Sequence, residues 1–143
     1  MTYLEQLEKI LEMKHRLVSL ETDDPERVTD LFTELCRFSN KAFYMSESDQ
    51  GLRRIGAAAH ITIPRTNTPI EMLEHIEAVQ HFGVYILRNF SDALEDPQVV
   101  AQLMKILGGD VEKVVILLGE YIDLPNEVKP FTLRSKHQMK MAS

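Results

Sequence analysis

Residues 83–120 read GVYILRNFSDALEDPQVVAQLMKILGGDVEKVVILLGE, and their pattern decides the fold. Val84, Tyr85, Ile86 and Leu87 form a continuous apolar run, as expected of a strand in a sheet covered on both faces. Asp96 followed by Pro97 supplies an N-cap and then a residue whose missing N–H is harmless at the first helical position. The helix begun there runs to Leu107, and Gly108-Gly109 ends it. Val114, Val115, Ile116, Leu117 and Leu118 make the next buried strand. Strand, helix and strand in this order predict a right-handed crossover between parallel strands.

The alternation extends both ways. Residues 17–20 predict a strand, Asp24-Pro25 repeats the cap-and-proline signal, and a helix over 25–38 follows. Val28, Leu31, Phe32, Leu35 and Cys36 share one face of it, so Cys36 reads as a small core residue. Residues 42–45 predict a strand, 48–55 a short helix carrying Arg53 and Arg54, and 69–81 a helix capped by Thr68; 129–133 is a last extended segment. At the amino end Thr2 and Glu5 have capping-box spacing, starting a helix over 2–14. Its Leu4, Leu7, Ile10 and Leu11 form a stripe that needs covering, by the chain's own sheet or by a partner. The expected fold class is α/β: one domain over 1–133, three layers, a mostly parallel sheet of about five strands with helices on both faces, and a leading helix. Residues 134–143, with Arg134, Lys136, His137 and Lys140, are expected to form a mobile basic tail.

Composition narrows the function. A chain of 143 residues, 44% apolar and 27% charged, is long enough for one core and excludes collagen, mucin and bulk disorder. A single cysteine excludes an internal disulfide and a cysteine-built zinc site. No apolar run nears the ~20 residues that cross a bilayer, and there is no signal-peptide core at the amino end, so a cytoplasmic location is expected. Sixteen basic and 22 acidic residues leave a net charge of −6, a balance that disfavours nucleic acid as a partner.

In parallel sheets, ligands bind beyond the carboxyl ends of the strands. After the first strand come Glu21, Asp23, Asp24 and Glu26, with none of the glycines or the lysine of a phosphate cradle. That turn reads as a solvated helix entry or as a Mg²⁺ holder. Gly51-Leu52-Arg53-Arg54-Ile55-Gly56 has the outer spacing of a Walker loop, but Ala57-Ala58 stand where Lys and Ser or Thr are required. After the third strand, where ATPases carry acids, the chain has Arg88-Asn89-Phe90; after the fourth, Gly119-Glu120 brings no Ser, Thr or Asn sensor. Cys36 lies on an apolar stripe, and His15, His60, His75, His81 and His137 show no i, i+4 pair, so neither a thiol nucleophile nor a metal cluster is indicated. Lys129-Pro130-Phe131 resembles the lysine motif of receiver modules, yet the span 118–129 has no room for their last crossover helix and Asn89 replaces the acceptor acid.

The order of segments over roughly residues 4–134 resembles the amino-terminal domain of AAA-type ATPases of cyanobacteria and plastids, a degenerate RecA-like domain without a P-loop. The resemblance is carried by the acidic turn after Leu17-Val18-Ser19-Leu20, by Gly51-Leu52-Arg53-Arg54, by Gly83 to Phe90, by Leu94-Glu95-Asp96-Pro97, and by Asp123-Leu124-Pro125. In that family an ATP-hydrolysing module follows; here the domain is expected to stand alone. Arg88-Asn89-Phe90 departs from the family's Lys-Asp-Phe by losing the acid, so no catalytic residue, cofactor or metal ligand carries over. The resemblance implies a noncatalytic interaction or regulatory module whose partner is a copy of itself, a related AAA ATPase or another protein. The candidate contacts are Arg53 and Arg54, or the stripe Leu4, Leu7 and Leu11. The alternative is binding of a small ligand or nucleotide without hydrolysis.

Overall fold

Each long helix starts where a local cap dictates. In the computed structural model, which describes residues 2–47, 51–56 and 62–138, α1 spans Tyr3–Glu12, α2 Pro25–Arg37, α3 Pro69–Ala78 and α4 Pro97–Leu107. Thr2, Asp24, Thr68 and Asp96 each accept a hydrogen bond from a first-turn amide, and Thr68 with Glu71 closes the full reciprocal box. The strands are β1 (Leu17–Thr22), β2 (Phe43–Glu47), β3 (Gly51–Arg54), β4 (Val84–Arg88), β5 (Val114–Gly119) and β6 (Thr132–His137).

They form one six-stranded sheet in the order β3-β2-β4-β5-β1-β6, parallel except where β3 runs antiparallel to β2. The five parallel strands and their crossovers are consistent with a RecA-like fold. The apolar runs split by alternation between two cores. Leu17, Tyr85, Leu87, Val115 and Leu117 pack with α3 and α4, while Val18, Leu20, Ile86, Ile116 and Leu118 pack with α1 and α2. The result is the expected three-layer α/β architecture.

Four expectations are corrected. In place of a helix over 48–55, Gly51–Arg54 is an edge strand; Gly51 enters it at φ +79, Leu52 N–H donates to Thr66 Oγ1 at 2.9 Å, and residues 48–50 lie outside the described ones. The helix over 69–81 stops at Ala78, where β-branched Val79 turns to an extended ψ of 134. Lys129–Phe131 is a 3₁₀ turn around Pro130, not part of a strand. The tail expected from 134 is, as far as His137, a sheet strand: β6 pairs with β1 from Leu17↔Thr132 to Thr22↔His137, burying His137. Residues 139–143 lie outside the described ones.

The stripe on α1 is covered by the chain itself. Leu7 is fully buried, Ile10 and Leu11 are buried and Leu4 is half-buried, all packed in the core that α1 shares with α2 and the sheet. Of the two readings of Leu4, Leu7 and Leu11, internal packing is the one observed.

Candidate functional site

The crossovers on opposite faces diverge at the carboxyl ends of β1, β4 and β5, and there the surface opens into a cleft of about 470 Å³. Its walls are the first turn of α2, the Arg88–Asp92 turn and the Gly119–Ile122 loop. In a nucleotide hydrolase, the amides at the start of the helix after the first strand receive phosphate. Here one of them meets a protein carboxylate. Asp24 Oδ1 accepts from Arg27 N–H at 3.3 Å, and Pro25 has no N–H to offer. Glu26 extends across the opening to form an ion pair with Arg88, whose side chain is only 14% exposed.

Backbone geometry holds this arrangement. Asn89 sits in the left-handed region at φ 55, a conformation its short polar side chain tolerates, and its N–H donates to Leu118 O at 3.1 Å. The neutral residue at this position thus serves a turn that swings the chain out of β4. Arg88 N–H donates to Ser46 Oγ at 3.2 Å, tying the same turn to β2. On the far wall, Glu21 Oε2 accepts from Ile122 N–H at 3.4 Å and Ser91 Oγ accepts from Asp123 N–H at 3.0 Å. The carboxylates of the acidic turn therefore have separate structural duties: Glu21 toward the β5 loop, Asp24 on α2, Glu26 on Arg88. Among the described residues, no three His, Cys, Asp or Glu side chains converge as a metal site.

The electrostatics disfavour an anion. Among the described residues, Asp24, Glu26, Asp92 and Glu120 line the cleft against one cation, Arg88, which Glu26 offsets. Unit charges 4 Å apart interact by about 4 kcal/mol near a protein surface, so a bound triphosphate would have to overcome several such repulsions.

Arg53 and Arg54 are not brought to this cleft. They lie on β3 at one edge of the sheet, Arg53 half-buried with a bridge to Thr62 and Arg54 exposed. The Walker-like spacing from Gly51 to Gly56 falls on strand and turn; Ala57 and Ala58 lie outside the described residues. Cys36 is half-buried, its Sγ 3.5 Å from Ile55 O. Sequence reasoning missed two features. The Arg88–Glu26 pair spans 62 positions, and Tyr121, 73% exposed at the rim, is marked in the sequence only by its place just after a buried strand.

Fold and cleft together describe an α/β domain, consistent with a RecA-like fold, with Asp24 and Glu26 at the mouth of its strand-end cleft. The family model of the SpoVK-like AAA ATPase N-terminal domain matches residues 3–134, and the chain belongs to that family. No curated protein matches the chain at a significant level. Among the described residues, no helix is long and apolar enough to cross a membrane.

Proposed function

We infer that this domain is a noncatalytic interaction or regulatory module, a nucleotide-hydrolase scaffold kept for its surfaces. One observation carries the reading: Asp24 caps α2 and Glu26 holds Arg88 at the place where a hydrolase of this topology would receive phosphate. Membership of an N-terminal AAA ATPase family supports a partner that is a related ATPase, a second copy or another protein in the cytoplasm. The edge strand bearing Arg53 and Arg54 is one candidate contact.

A second reading, small-ligand binding without hydrolysis, is favoured by the volume of the cleft, about 470 Å³, within the range of metabolite sites. Affinity purification of the tagged chain from its own cells separates the two. The interaction reading expects a stoichiometric protein partner, lost in the wild-type chain's Arg53→Glu, Arg54→Glu variant if the edge strand is the contact. ATP turnover that is abolished by replacing Glu21 or Asp24 would overturn the noncatalytic reading.

A further inference from the structure

Beside the strand-end cleft lies a second groove of about 510 Å³, and the two share Ser91, Asp92 and Tyr121. Leu94, Leu124 and Pro125 supply its apolar lining; Asp92, Glu95 and Asp123 supply carboxylates. Tyr121 stands between the two openings with 73% of its surface exposed. That exposure is imposed by its neighbours. Ile122 is 6% and Leu124 3% exposed, the Ile122 amide is tied to Glu21 and the Asp123 amide to Ser91, so the loop is anchored immediately after the projecting ring.

We propose that this groove is a docking surface for a segment of a partner protein that carries Lys or Arg next to a large apolar residue. The inference rests on the interaction-module reading and adds the surface and the chemistry of the partner. Pro125 and the Tyr121 ring, with the edges of the largely buried Leu94 and Leu124, offer an aliphatic or aromatic anchor an apolar surface to pack against. Among the described residues, Asp24, Glu26, Asp92, Glu95, Glu120 and Asp123 line the joined openings with a single cation, Arg88, which is paired with Glu26. This sign of charge repels nucleotides, nucleic acid and anionic lipid, and attracts a cationic side chain. The exposed Tyr121 ring offers that cation a π-face within about 6 Å, a contact that favours Arg over Lys. An exposed tyrosine at the rim of a groove is of the residue type enriched among interface hot spots.

The test is selection of a random 12-residue phage-displayed peptide library on the immobilised 143-residue chain. Enriched peptides should be net positive with at least one large apolar residue. Recovery should fall by about tenfold or more on Tyr121→Ala and on the Asp92→Asn, Asp123→Asn double variant, stay level on Phe38→Ala, an exposed ring at the end of α2 that lines neither opening, and weaken as salt is raised. Acidic or uncharged selected sequences, undiminished recovery on Tyr121→Ala, or no enrichment would overturn the proposal. So would a dimer of the free chain that Tyr121→Ala dissociates, since the occupant would then be a second copy. Peptides whose capture depends on Phe38 or on Arg53 and Arg54 would remove this groove yet leave the interaction reading standing; no selected peptide, together with saturable filling of the cleft by a metabolite, would remove both.

Discussion

Arg88 at the end of β4 and Glu26 in the first turn of α2 form an ion pair across the mouth of the strand-end cleft, one side chain largely buried and the other 75% exposed. The pair joins the third parallel strand to the helix that follows the first, across the opening of the cleft. Its two members are unequal. Glu26→Ala should cost under about 1 kcal/mol, as for an exposed partner. Arg88→Ala should cost more, because the aliphatic stem of the arginine is packed as well as its charge paired. Thermal unfolding of the two variants measures the difference, and equal shifts would count against the packing argument.

The α1 stripe gives a sharper stability contrast. Leu7→Ala removes a fully buried side chain and should cost about 2–5 kcal/mol, whereas Glu8→Ala, on the exposed face one residue away, should change stability by less than about 0.5 kcal/mol. Urea denaturation decides this. A Leu7 variant of wild-type stability would return the stripe to the list of partner contacts.

Gly56 lies at φ +83, and a β-carbon there would sit 2.9 Å from Cys36 Sγ. Gly56→Ala should therefore lose about 1–3 kcal/mol from two sources, the left-handed backbone and the collision with sulfur. Combining it with Cys36→Ala should recover the second part alone. A double-mutant cycle with no coupling energy would contradict the close approach.

Much of this architecture was legible because helix starts are local. Asp24-Pro25, Thr68-Pro69 and Asp96-Pro97 each place a cap and a proline at adjacent positions, and all three begin helices. The parallel strands were legible from apolar runs that serve two cores at once. The edge strands were not. Leu52, Arg53 and Arg54 are too few to show a period, and the helix expected there lost to pairing with β2. In β6, the exposed Arg134 and Lys136 look like a tail until β1 is seen beside them; charged residues of this kind are how an edge strand avoids further pairing. The cleft itself depends on topology, because Asp24, Arg88 and Tyr121 meet only when β1, β4 and β5 lie side by side.

The end of β6 carries a pH dependence. His137 is buried, its Nε2 is hydrogen-bonded to Ser135 Oγ at 2.8 Å, its ring lies 5.8 Å from that of Tyr3, and its Nδ1 has no hydrogen-bond partner among the described residues. Burial lowers its pKa below 6.5, and burial lowers that of His75 on α3 in the same direction. The unfolded chain then binds protons more readily than the native one, so stability should fall as pH drops from about 6.5 through the lowered native values. His137→Gln should flatten the part of this slope that belongs to β6. A melting temperature flat from pH 7 to pH 5 in the wild type would contradict the burial of the ring.

On the proposed reading, the carboxylates at the mouth of the strand-end cleft keep nucleotide out of it. Titration of the intact chain with Mg-ATP in a calorimeter tests it most directly. The expected trace shows only heats of dilution at micromolar nucleotide, because Asp24 and Glu26 stand where phosphate would bind. Saturable binding with a dissociation constant in the low micromolar range or below, weakened by Arg88→Ala, would contradict it.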